Sequence, residues 1–223
     1  MGSTIGQLLP LALGIAISPI PIIAAILMLL SPKARSSGVG FLIGWLLGIV
    51  VAVVVFALLS SLIPEKDPDK SQPITGTIEL VLGLLLLFLA FRQWRARPRN
   101  GAEPKLPSWM GAINSMTALR ALVLGFLLAT VNPKNLLLAI AAGAAIASAG
   151  LDPGAAAGVI AIYTVIGALS VGVPVVAYLV AAKRMRGPLA GLREWLVHNN
   201  ATVMAVMLLI LGVVLIGKGI GSY

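Results

Sequence analysis

The chain contains no cysteine, which excludes a disulfide framework and any thiolate-held metal or cluster. Charge is nearly as scarce. Only 10% of the 223 residues are charged, seven of them acidic, and there is one histidine. No His/Asp/Glu group with metal-ligand spacing falls within the apolar segments, and no Ser-His-Asp set can be assembled there. No glycine loop runs into Lys-Ser or Lys-Thr, so ATP is not expected as the direct energy source. No enzymatic activity, cofactor or metal is therefore expected. Hydrophobic residues fill the remainder: they make up 59% of the chain, and the mean hydropathy is +1.05. One soluble core of this size cannot hide so much apolar surface, so the chain reads as an integral membrane protein.

The net charge of +9 does not point to nucleic acid, because the basic residues sit in short connections between apolar segments. Six such segments run at about Ile5–Leu30, Gly38–Ile63, Ile74–Phe91, Ala121–Ala149, Gly154–Ala182 and Ala201–Ile220. The fold class expected is all-α, a polytopic membrane protein of six transmembrane helices. Lys33 and Arg35 follow the first segment, and Arg92, Arg95, Arg97, Arg99, Lys105 and Arg120 separate the third from the fourth. Lys183, Arg184, Arg186 and Arg193 separate the fifth from the sixth. The other connections are mixed or acidic: Glu65, Lys66, Asp67, Asp69 and Lys70 in one, Asp152 in the other. The positive-inside rule then puts both termini outside a plasma (cytoplasmic) membrane. Met1 to Gln7 carries no basic side chain and leads into a long apolar stretch without a clear cleavage site, so it reads as a retained first helix.

Two segments are interrupted. Asn132-Pro133-Lys134-Asn135 stands in the middle of the fourth, where a central lysine costs about 2.5–3.5 kcal/mol to insert and the proline removes a backbone donor. Ser18-Pro19-Ile20-Pro21 interrupts the first. A shift of 114 positions carries Pro19 onto Pro133, Ser18 onto Asn132, Pro21 onto Asn135, Gly40 onto Gly154 and Gly44 onto Gly158. Each half has three spans, an odd number, so the halves enter the membrane in opposite senses. Two inverted three-helix repeats with helices 1 and 4 broken is the pattern of a secondary transporter with a midplane site. The domains are then residues 1–91, the first repeat; 92–120, a cytoplasmic linker; and 121–223, the second repeat. In the linker, Ser108 caps a short stretch with Trp109, Ile113 and Met116 at helical spacing, which fits a helix lying in the interface.

The candidate substrate-binding residues are Lys134, Asn132, Asn135, Ser18, Pro19, Pro21, Pro133 and Thr130. Lys134 would hold an anionic group or change protonation; the plainer reading is that it ties down carbonyls at the helix break. Asn132 and Asn135 would meet a substrate, cap the half-helices, or do both. Glu79 is the acid placed at membrane depth, a candidate for proton coupling beside Lys134 or a partner for it, against the reading of an interfacial acid facing water. Gly40, Gly44, Gly48, Gly154 and Gly158 are spaced for close helix packing. Trp45, Trp94, Trp109 and Trp195 read as interface anchors.

Ala16-Ile17-Ser18-Pro19-Ile20-Pro21-Ile22-Ile23, Leu29-Leu30-Ser31-Pro32-Lys33-Ala34-Arg35, Gly44-Trp45 and Asn132-Pro133-Lys134-Asn135-Leu136 together resemble the GAP family, the peptidoglycolipid-addressing or Sap-like proteins of the LysE transporter superfamily. The resemblance implies a plasma-membrane protein that helps move glycolipids or related lipids outward. Ser18-Pro19-Ile20-Pro21 stands where the amino-acid exporters of that superfamily carry Pro-Gly-Pro, which argues against a small amino-acid substrate. The expected partners are membrane lipids and a lipid or small-molecule substrate, with a homodimer as the candidate assembly. The alternatives are a LysE-type exporter of a small charged solute, an amino acid or cation, and a non-transporting accessory protein of a lipid-export system.

Overall fold

A computed structural model describes residues 1–62, 73–97 and 108–222, and among these the regular structure is entirely helical. The helices are α1 (Gly2–Ala16), α2 (Pro19–Leu29), α3 (Ala34–Ser61), α4 (Pro73–Arg95), α5 (Ala118–Thr130), α6 (Pro133–Ala147) and α7 (Pro153–Gly221), with a 3-10 helix at Ser108–Ser115. Three of them, α3, α4 and α7, are each long and apolar enough to cross a membrane, and the count rises to five if α1–α2 and α5–α6 are each one bent span. The connection holding Glu65, Lys66, Asp67, Asp69 and Lys70, and the residues Arg99 and Lys105, lie outside the described residues.

Proline places both bends. A residue before proline is driven out of the α region. Ser18, before Pro19, is extended at φ −119°, ψ 96°, and Asn132, before Pro133, stands at φ −63°, ψ 120°. The chain turns by 52° between α1 and α2 and by 64° between α5 and α6.

The ends of the bundle follow from what touches what. The start of α1, the start of α4, the segment just after α6 and the end of α7 line one cleft. At the opposite end, Gly38 of α3 abuts Leu29 of α2, and Gly40 faces the Ala118 backbone of α5. The second end is the basic one, where α4 finishes with Arg92 and Arg95, cations suited to a helix C-terminus. There Arg97 stacks 3.7 Å from the Trp94 ring. The 3-10 helix packs on α2 and buries Met110 and Ile113, so this part of the linker rests one face on the bundle.

The structure departs from the sequence expectations in three places. The connection expected at 183–200 is helical: α7 runs from Pro153 to Gly221 and breaks only at Ala181 (φ −137°, ψ 51°). The stretch that follows stays helical although it holds Gly187, Pro188 and Gly191; its arginines and leucines are compatible with a helix, so charge there ends the apolar run without ending the helix. Trp45 is no interface anchor. It is wholly buried, stacks on Phe41 with centroids 6.5 Å apart, and donates its indole N–H to the Gly167 carbonyl at 3.4 Å. Trp94 and Trp195 are exposed, as anchors should be, and the Trp109 side chain lies outside the description.

The glycines divide as well. Gly40, Gly44 and Gly48 lie against the backbone of α5 at Ala118, Leu122 and Phe126, and Gly125 returns the contact at the Phe41 carbonyl. Gly154 and Gly158 receive no backbone; a methyl there would meet only Asp152 and the tip of Met1. Of the two glycine sets that the shift matches, close packing therefore belongs to the first alone, although Gly125 and Gly143 of the second half also meet the backbone of α3. Along the other seam, α4 packs on the second limb of α7 through Gly83, Gly212 and Gly219.

A Cβ at Gly44 would fall on the Leu122 carbonyl, a fixed atom. Gly44→Val is expected to destabilise the chain by at least the ~1–3 kcal/mol usual for overpacking, and Gly158→Ala by far less. Thermal unfolding of the detergent-solubilised variants checks the difference.

Candidate functional site

The two bends meet. Lys134, the second residue of α6, is 2% exposed, and Ser18 and Asn135 are 1% exposed. The Lys134 ammonium donates to the Gly14 carbonyl, to the Ile17 carbonyl at 3.2 Å and to the Ser18 hydroxyl. Ser18 Oγ in turn donates to Asn135 Oδ1 at 3.4 Å, and Asn135 Nδ2 donates to the Leu128 carbonyl at 3.1 Å. Asn132 Oδ1 accepts from the Lys134 backbone N–H at 3.1 Å and so caps α6.

Backbone bookkeeping explains the pattern. The donor that would normally close on Gly14 is the Ser18 N–H, but that N–H has turned to the Ala16 carbonyl at 2.9 Å. The donor for Ile17 would come from residue 21, which is proline and has none. Both carbonyls are thus orphaned by the break, in a setting where unpaired buried groups are costly. Lys134 answers both. It also puts a cation at the negative end of the α1 dipole, which offsets its unfavourable place in the first turn of α6. The Asn135 amide serves the last turn of α5 in the same way.

Four helix ends therefore converge, two C-terminal (α1, α5) and two N-terminal (α2, α6). The C-terminal pair is covered by Lys134 and Asn135. Of the N-terminal pair, α6 is capped by Asn132, whereas α2 has no side-chain cap, because the Ser18 hydroxyl is engaged across the interface. N-terminal helix ends attract anions.

Pro19 and Pro21 are buried at the start of α2, and Pro133 opens α6. Thr130 is not drawn in: its hydroxyl donates to the Phe126 carbonyl of its own helix at 2.9 Å. Nor does Glu79 join Lys134. It is half-buried on α4 in the cleft at the far end of α6, where it accepts from Ser222 Oγ at 3.4 Å near Lys218. Ala145, also in that cleft, is 11 residues beyond Lys134, or about 17 Å along the helix. Among the described residues, no three potential metal-binding side chains come together.

Sequence reasoning missed Gly14 and Lys218. A backbone acceptor carries no side-chain signal, though a glycine four residues before a Ser-Pro is a fair hint. Lys218, inside the last apolar segment, follows the same rule that singled out Lys134.

The fold and site define a helical membrane protein in which two proline-bent helices are tied together by a buried lysine. The chain belongs to the Sap, sulfolipid-1-addressing protein, family, whose model matches residues 8–221. No curated protein and no solved structure matches it.

Lys134→Ala leaves the Gly14 and Ile17 carbonyls and the Ser18 hydroxyl without their donor. Each buried unsatisfied group costs about 1–3 kcal/mol, so this variant and Ser18→Ala are both expected to unfold earlier. Thr130→Ala, which removes only a bond within its own helix, is expected to shift stability by less than about 1 kcal/mol. Denaturant unfolding in detergent distinguishes the three.

Proposed function

We propose that the chain exports a lipid or related amphipathic solute through a site at the junction of its two bent helices. The observation that carries this reading is the direct hydrogen bonding of Lys134 and Asn135 to Ser18, between the two helix breaks that the 114-residue shift matches. Further support comes from direction. The pair α1–α2 runs from the cleft end to the basic end, and α5–α6 runs from the basic end to the cleft end. Counting the two limbs of α7 separately, at the Ala181 break, gives six spans in two inverted sets of three within the LysE superfamily plan. With the basic end cytoplasmic, the cleft and both termini face outward from the plasma membrane.

The family's name points to a sulfated lipid, and a sulfate is an anion. The junction suits one, with a lysine and an α2 N-terminus that lacks a side-chain cap. All three Lys134 donors are used within the protein. An anionic headgroup would have to replace a carbonyl of α1, and that exchange would loosen α1 from α6. Substrate binding and helix movement are coupled in this way. Glu79, opening into the outward cleft, is the acid placed to exchange the coupling proton.

Reconstitution tests the proposal. Purified protein in liposomes is expected to move a fluorescent anionic lipid between leaflets unaided. Lys134→Arg keeps the charge but not the compact three-way geometry, and is expected to stay folded while losing at least about tenfold in rate. Movement of amino acids and not lipid would favour the small-solute exporter. No movement of either would favour an accessory protein.

A further inference from the structure

The cleft at the end opposite the basic residues is a cavity of about 470 Å³, within the range of small-molecule sites. Its lining mixes hydroxyl and amide groups (Ser3, Thr4, Gln7, Ser148) with two charged side chains of opposite sign, Glu79 and Lys218. These two form no direct ion pair. Each charge is held by a neutral neighbour: Lys218 Nζ donates to the Gln7 carbonyl at 2.9 Å, and Glu79 accepts from Ser222. Unlike the carbonyls that Lys134 meets, the Gln7 carbonyl keeps a helical donor, the Leu11 N–H. The Lys218 contact falls on α1 one turn before Pro10, whose missing N–H leaves the Gly6 carbonyl beside it without its helical donor.

The cleft does not open onto the junction below. An added Cβ at Gly14 would lie 2.6 Å from a Leu211 methyl and 2.9 Å from a Leu138 methyl. Those two side chains and Leu11 are buried. They form an apolar layer over the carbonyl that holds Lys134. The cleft is therefore a separate compartment with its own pair of charges.

We infer that this cleft is a second binding site, for a zwitterionic headgroup that carries an ammonium and an anionic group. Glu79 takes the ammonium and Lys218 the anion, with the surrounding hydroxyls completing the contacts. A lone anion meets Glu79 and a lone cation meets Lys218, so each is disfavoured where the zwitterion is matched on both sides. The aminoethyl phosphate end of a phospholipid and the same group free in solution share this chemistry. The assignment does not require that the chain transport anything.

Because the chain lacks cysteine, a single Ala149→Cys carries an environment-sensitive dye at the cleft wall without removing a polar group. The full chain so labelled, in detergent micelles, is titrated with short-chain phosphatidylethanolamine, with phosphatidylglycerol of the same chain length, and with phosphoethanolamine. Saturable binding of the first is expected, weakened at least tenfold by Glu79→Gln and by Lys218→Gln, with phosphatidylglycerol binding at least tenfold more weakly. Binding of phosphoethanolamine at similar strength assigns the site to the free solute; its absence assigns the site to the lipid. Lys218→Gln loosens α1, so Thr4→Trp, labelled in the same way, is the second check: it fills the cleft without touching either charge and is expected to abolish binding. The inference is overturned by no saturable binding, by equal binding of phosphatidylglycerol, or by binding indifferent to all three substitutions.

Discussion

A proline within an apolar segment leaves carbonyls that neither water nor lipid can satisfy, and the structure is organised around answering them. Pro19 and Pro21 break the first helix pair and Pro133 breaks the other. The side chains that repair the breaks come largely from across the interface or from beyond the bend: Lys134 covers α1 and Asn135 covers α5. Because the first repair crosses between halves of the chain, the bend between α1 and α2 is satisfied only in the presence of α6. Lys134 is thus a structural cap that ties the two bends together.

The bends and their pairing were legible in the sequence because proline and intramembrane charge have few places to go. The runs Ser18–Pro21 and Asn132–Asn135 could be matched by a shift in numbering, and the structure puts Ser18 of one in hydrogen-bond contact with Asn135 of the other. What was illegible depended on neighbours. The glycine spacing read the same in both halves, yet Gly44 meets a helix backbone and Gly158 meets only the flexible end of Met1. Trp45 read as an anchor from its type, whereas the glycines flanking it let α5 approach and close over it. The break at Ala181 carries no proline or glycine of its own, and the charged residues after it continue a helix as readily as they end a span. Glu79 was visible as a membrane acid, but its surroundings were not, since Ser222, which donates to it, and the nearby Lys218 lie more than a hundred residues away in sequence.

A lysine from another helix donates to α1 at two places, Lys134 to the orphaned Gly14 and Ile17 carbonyls and Lys218 to the Gln7 carbonyl. Both contacts lie next to proline, and between them sits the leucine layer. Helix α1 is therefore held at two polar points, by α6 and by α7, and sealed by apolar contact in the middle. A helix held in this way has few small motions open to it, because sliding by a fraction of a turn would break both polar contacts together.

This arrangement constrains any mechanism. A ligand shifts an equilibrium only by its difference in affinity for the two states. An anion arriving at Lys134 must compensate for the carbonyls it displaces, and those carbonyls regain a donor only if α1 moves. A neutral ligand offers the ammonium nothing that the carbonyls do not, and would leave α1 in place. The ammonium–carbonyl bonds are already charge-assisted, so what an anionic headgroup adds is the direct attraction of opposite charges, which is stronger away from water. That attraction is the driving force available at the junction. The closed, self-satisfied arrangement of Lys134, Ser18 and Asn135 is consistent with a resting state that only a charged group opens.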